Sequence, residues 1–250
     1  MRNISPIITT NMRNNFRSKT VIIIWYGTAL LILVALAALF GILLIAPEVN
    51  KVSPDRAKLE LYLGIIMFSA SALGVGINLN ALGFTSMIKE KSRGNIQSLL
   101  ATPVRLKDIW IGKSLAIFIP GYVISVISTM IVLLAVNLSV IVPTTGDFLL
   151  PLPLFLLSLI LNPLLLLGLL LFIILFSLAN NPDIAITPSF LVGFGLMMGI
   201  PLGMATGAIN LSSWSFSLWY LAGVIIVWII VLLHARLLTK EKIILSSKGS

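Results

Sequence analysis

Few side chains in this 250-residue chain are suited to covalent chemistry. It has no cysteine, which excludes thiol chemistry and disulfides, and its one histidine, His234, cannot build a metal site alone. There is no His-Glu-x-x-His and no paired-carboxylate motif for lipid-transferase chemistry. Gly112-Lys113-Ser114 has the ending of a phosphate-binding loop. That loop needs a glycine where Lys107 stands, and a buried strand ahead of it where none is expected. No cofactor or nucleotide is therefore expected on this chain, and an enzyme is poorly supported.

The remaining candidates are uncharged. Ser71, Asn78 and Thr85 lie seven residues apart and share one helical face, with Ser69, Gly76, Asn80 and Gly83 roughly opposite. Two uses fit the polar face: lining a substrate path, or hydrogen-bonding between helices. Gly195, Gly199, Gly203 and Gly207 recur every four residues, a stripe that lets another helix approach closely, across a dimer interface in one arrangement. Met197, Met198 and Met204 beside it suit either a promiscuous substrate surface or apolar filler.

These residues sit in a chain that is 58% hydrophobic and only 10% charged, against about 25% charged in soluble domains. Its mean hydropathy is +1.10. Uncharged runs cover 20–47, 61–88, 114–146, 148–182 and 184–235. A bilayer crossing takes about 20 residues, so the first four runs hold one span each. The fifth run must fold back, with Asn210-Leu211-Ser212-Ser213 as its turn. The expected fold is an all-α integral membrane protein in a single domain, 1–250, with six transmembrane helices at 21–46, 61–88, 114–138, 149–178, 183–207 and 214–237. Ser53-Pro54-Asp55 reads as a helix start projecting beyond the bilayer, and Asn162-Pro163 as a kink in the fourth span. Residues 1–20 carry Arg2, Arg13, Arg17 and Lys19 around an Ile8/Met12/Phe16 stripe, with Ser5-Pro6 as the start of an interfacial amphipathic helix; a basic tail is the other reading.

Six spans place both termini on one side with the segment 89–110. That side receives Arg2, Arg13, Arg17 and Lys19, six cations from Lys89 to Lys113, and Arg236, Lys240, Lys242 and Lys248. The other side holds Lys51, Arg56 and Lys58 against Glu48, Asp55, Glu60 and Asp147. The positive-inside rule makes the first side cytoplasmic, so the net charge of +9 marks topology in a lipid bilayer and not a nucleic-acid partner.

Between the second and third spans, Gly94 and Asn95 can end one helix and start another, Ile96, Leu99 and Leu100 share a face, and Pro103 closes the turn. The string Glu90-Lys91-x-x-Gly94-Asn95-Ile96-Gln97-x-Leu99-Leu100-Ala101-Thr102-Pro103-Val104, followed by Gly112-Lys113, resembles the signature of type 2 ABC exporter permeases. It spans about a tenth of the chain, and Gln97 stands where that family more often carries an acid. The resemblance implies a permease subunit working as a dimer with separate cytoplasmic ABC ATPase subunits, which carry the ATP and Mg. It further implies that 89–110 is a coupling segment, with Ile96, Leu99 and Leu100 docking on the ATPase. Gly94 and Pro103 would fix its geometry, and Glu90, Arg93 and Arg105 would make polar contacts at the rim. The alternative is an ATP-independent secondary transporter or channel, which ordinarily keeps a titratable group near the midplane, where these spans have none. For the glycine stripe, Gly199→Leu is expected to weaken dimerisation in detergent, read by size-exclusion light scattering. An unchanged dimer would assign the stripe to packing within one chain.

Overall fold

The computed structural model describes residues 4–17, 19–78, 104–179, 195, 199–200, 202–204, 206–236 and 238–239. Residues 79–103, most of the expected coupling segment, and most of the expected fifth span lie outside them. The described residues are all helix and connection, with no strand among them. Among the described residues, five helices are long and apolar enough to cross a membrane: Tyr26–Val49, Arg56–Gly76, Leu106–Thr145, Leu152–Leu178 and Trp214–Ala235. Their length, and the near absence of charge along them, make this a membrane protein.

The amphipathic helix α1 runs Ile4–Asn15. Ser5 therefore lies inside the helix and does not cap it, correcting the expected start. Helix α2, Lys19–Phe40, continues through a widened π-turn, Gly41–Ile45, into Ala46–Val49. Helix α3 is Arg56–Asn78, and the Asp55 carboxylate accepts the Ala57 N–H at 3.0 Å, capping it. Helix α4, Leu106–Val136, passes through a second π-turn, Asn137–Ile141, into Val142–Thr145. It begins eight residues before the expected 114. The charges that seemed to bound the span instead sit on its first two turns, where Asp108 complements the helix dipole and Lys113 is buried. Helix α5 comprises Leu152–Leu156, a third π-turn at Leu157–Leu161, and Asn162–Ala179. Helix α6 is Trp214–Ala235. Ahead of it, Asn210 Oδ1 accepts the Ser212 N–H at 3.0 Å, and Ser213 Oγ accepts the Phe216 N–H at 3.2 Å. The turn falls where the Asn-Leu-Ser-Ser string places it, and its last serine caps the helix.

Two apolar clusters divide the bundle along its length. One joins Val75, Trp110, Ile117, Leu170, Ile174, Leu178 and Val231; the other joins Ile45, Leu63, Met67, Ile141, Leu157, Leu211 and Tyr220. Helix α1 lies at the end of the first cluster, where its Ile7 side chain packs on Gly112 so closely that a Cβ there would sit 2.7 Å from Ile7 Cγ2. At the far end, Lys51 Nζ meets the Glu48 carboxylate at 2.6 Å, a bond that holds the ammonium above its ordinary pKa, and the Asp55 N–H reaches the same carboxylate at 3.4 Å. Helix α2 sits at the edge of the bundle, with Leu31, Val34 and Ile42 exposed.

Helices α3 and α4 approach closely at Gly74. A Cβ built on Gly74 would lie 2.5 Å from Ser125 Cα and 2.6 Å from Ser125 N, so any side chain there separates two backbones. On Gly76, two residues on, a Cβ would meet no described atom within 4 Å. Among the described residues, the close packing on α3 runs through Gly74. Gly74→Ala is expected to destabilise the folded protein by about 1–3 kcal/mol, the usual cost of overpacking, while Gly76→Ala stays within about 0.5 kcal/mol. Equilibrium unfolding in mixed micelles measures both.

Candidate functional site

The fourth span carries a proline that cannot donate a hydrogen bond, and the bundle is organised around the consequence. Asn162 sends its N–H back five residues to the Leu157 carbonyl instead of four to Ser158. Pro163 has no N–H to offer Leu159. The carbonyls of Ser158 and Leu159 are therefore left over inside an apolar bundle, where an unmet carbonyl is costly. Each accepts a side-chain donor from another helix. Ser71 Oγ of α3 donates to the Ser158 carbonyl, and Tyr122 Oη of α4 donates to that of Leu159 at 3.3 Å.

Ser71 is completely buried and is the hub of this cluster. Besides donating to Ser158, its Oγ accepts from Asn162 Nδ2 at 3.1 Å and from Ser125 Oγ at 3.2 Å. Asn162 Oδ1 in turn accepts the Tyr220 hydroxyl of α6 at 2.9 Å. Four helices meet at one hydroxyl and one amide, at the boundary between the two apolar clusters. Helix α5 is the common acceptor along its length. Its carbonyls at Pro153, Leu164 and Leu171 take Ser217 Oγ at 3.3 Å, Trp228 Nε1 at 3.1 Å and Trp110 Nε1 at 2.8 Å.

An open, apolar groove of about 410 Å³ lies on one side of this cluster, bounded by Leu165, Ile200, Phe216, Trp219, Tyr220 and Val227. That volume is in the range of small-molecule sites. Tyr220 presents its ring to the groove while its hydroxyl is held by Asn162. The arrangement contains no acid–base pair and no nucleophile with a partner base. Among the described residues, no three His, Cys, Asp or Glu side chains are placed to hold a metal. Its chemistry is that of contact and hydrogen bonding.

The residues singled out in the sequence distribute as follows. Ser71 has its lone pairs and its proton engaged between helices. Asn78 closes α3, and its side chain lies outside the described residues, as do Thr85, Met197 and Met198. Glu90, Arg93, Gly94, Ile96, Leu99, Leu100 and Pro103 also lie outside them; Arg105 is exposed, in extended backbone just before α4. Of the glycines, Gly195 and Gly199 are exposed, with no described atom within 4 Å of a Cβ. Gly203 is covered by its own chain: the Ile209 N–H returns to the Gly203 carbonyl at 2.9 Å, and a Cβ would sit 2.4 Å from Ile209 Cδ1. Ser125 gives no sequence signal beyond being a polar position in an apolar run, Tyr220 reads in sequence only as part of an aromatic belt with Trp214 and Trp219 where the structure buries it against Asn162, and Asn162 is marked only through its proline. No family model, curated protein or solved structure matches the chain.

Tyr220→Phe leaves Asn162 Oδ1 without its donor. A loss of about 1 kcal/mol is expected, within the range for interhelical hydrogen bonds in bilayers. On an Asn162→Ala background the same substitution should add almost nothing. A double-mutant cycle of unfolding free energies tests this, and additive effects would show the two groups to be uncoupled.

Proposed function

We propose that this chain is the membrane-spanning permease subunit of an ATP-driven ABC exporter, paired with a second permease copy and driven by separate cytoplasmic ATPase subunits that bind ATP and Mg. The observation that carries the reading is the string Glu90–Val104, which lies in sequence between two long apolar helices, followed by Gly112-Lys113 in the first turns of the second. The remaining support is physical. Five apolar helices suited to crossing a bilayer are packed into one bundle. The cations are concentrated in residues 1–20, 89–113 and 236–250 of the sequence, which by the positive-inside rule supports a cytoplasmic side for both termini and the coupling segment of a multi-pass cell-membrane protein.

In this reading, closure of the ATPase pair pushes on the helix of Asn95–Thr102, with Ile96, Leu99 and Leu100 seated in a groove of the ATPase. The push opens the bundle toward the outside. The apolar groove beside Tyr220 and the faces of the second and fifth spans are the surfaces available to a substrate that partitions into the bilayer.

The test is purification of the tagged chain from its own membranes. Wild-type protein is expected to bring down a nucleotide-hydrolysing subunit, with ATPase activity in the eluate. Leu99→Asp and Leu100→Asp are expected to insert normally and to lose that activity by at least about tenfold, since a carboxylate in an apolar groove costs more than 1.4 kcal/mol. Transport by the purified chain without ATP, or full ATPase association by both variants, would overturn the assignment.

A further inference from the structure

The apolar groove has a shape that its lining residues fix. Phe216, Tyr220, Gly223 and Val227 follow one another on α6 at intervals of four, three and four residues, so they form one stripe along that helix. Leu165 of α5 and Ile200 complete the walls. From Phe216 to Val227 the stripe runs roughly 16 Å, at a rise of about 1.5 Å per residue. The hydrocarbon core of a bilayer is about 30 Å thick, so the groove is as long as one leaflet is deep. It starts in the first turn after the Ser213 cap and ends near the middle of the span.

Its walls offer little to a polar ligand. The Tyr220 hydroxyl is held by Asn162, and that of Ser217 by the Pro153 carbonyl. Among the described residues, no charged side chain lines the groove. Gly223 keeps it wide, since a Cβ there would meet no described atom within 4 Å. The groove is continuous with the surface that faces lipid: the same stretch of α6 exposes Leu218, Ile225 and Ile226, and Trp219, a lining residue, is 76% exposed. Trp214, exposed at the start of the helix, sets that end at the headgroup level, where indole rings settle.

We propose that the groove binds one acyl chain of a phospholipid from the leaflet at the Trp214 end. The chain enters sideways from the bilayer and leaves its headgroup at the level of Trp214. Two matches select this occupant. The length is that of one leaflet, and an uncharged wall suits hydrocarbon, whereas a sugar, a peptide or an ion would lay polar groups against Leu165 and Val227 at a desolvation cost. Gly223 is the specificity-determining position, because the side chain it lacks is the width that the acyl chain occupies. Binding stands on the groove's own geometry; that the bound lipid is cargo rests on the permease reading, whose substrate class it names.

The test uses the full chain in phosphatidylcholine nanodiscs doped with a phosphatidylcholine that carries a diazirine midway along one acyl chain. The sample is photolysed without nucleotide or partner subunits, and adducts are mapped by residue with mass spectrometry. Leu165 is the decisive position: at 6% exposure it is out of reach of lipid that merely surrounds the bundle. Adducts are expected at Leu165 and Val227 as well as at the exposed Leu31 and Val34 of α2. Gly223→Leu should lower the Leu165 yield at least about fivefold, the equivalent of about 1 kcal/mol of lost binding, and leave the α2 yields unchanged. Gly41→Leu, which also adds a side chain in open space but on α2, should leave the Leu165 yield at its wild-type value. No adduct at Leu165 in the wild type, or a yield there that survives Gly223→Leu, overturns the proposal and gives the groove to another occupant, a second copy of the chain included. Either result is independent of ATPase association, so the lipid site and the permease reading fail separately.

Discussion

The bundle depends on a missing hydrogen bond. Pro163 leaves the fourth span unable to complete its own ladder, and in a bilayer no water stands by to make good the loss. The protein answers with side chains from its neighbours, so that Ser71, Tyr122, Asn162, Ser125 and Tyr220 are placed by one backbone defect. Between greasy helices there is little hydrophobic drive to choose one orientation over another, because lipid tails are as apolar as leucine. Directional bonds to two stranded carbonyls supply the choice.

Close fit does the remainder. Gly74 against the backbone of Ser125 brings α3 and α4 within reach of the hydroxyl cluster, and Gly112 seats α1 by its Ile7 side chain. The first of these contacts and the Ser71 hub lie one turn apart on the same helix, so packing and hydrogen bonding constrain the same pair of helices at the same height. An isolated interhelical hydrogen bond in a membrane contributes only about 0.6 kcal/mol. The cluster gains its weight from sharing, since removing one member strands the next.

Much of the architecture was legible in the sequence because charge is so sparse. Uncharged runs overlie the five described apolar helices, the Ser53-Pro54-Asp55 start and the Asn210–Ser213 turn fall just ahead of α3 and α6, and Asn162-Pro163 announced a break. The inward faces were not legible. These helices are apolar all round, so hydropathy carries no period from which to read a buried side. Gly74 and Gly76 look alike in sequence, yet among the described residues only Gly74 is held against another helix's backbone. Ser71 and Asn162 are 91 residues apart, and nothing local links them. The first and third spans read as ending at 46 and 138, where the chain in fact continues as helix to Val49 and Thr145. Lys113 misled in the opposite direction, because its charge made a helix already under way look as though it had yet to begin.

Asn137 carries a consequence for biogenesis. Its buried amide donates to the Leu149 carbonyl at 3.1 Å and accepts the Leu149 N–H at 2.7 Å, clasping the connection between α4 and α5. A nascent chain that released α4 alone into lipid would leave half of that amide bare, so α4 and α5 are best delivered to the bilayer as a hairpin. Tyr220 emerges from the ribosome much later, and until it arrives Asn162 has no hydroxyl to receive. The fit of Gly74 on Ser125 needs no such latecomer, which makes the α3–α4 pair the natural template on which the other spans assemble.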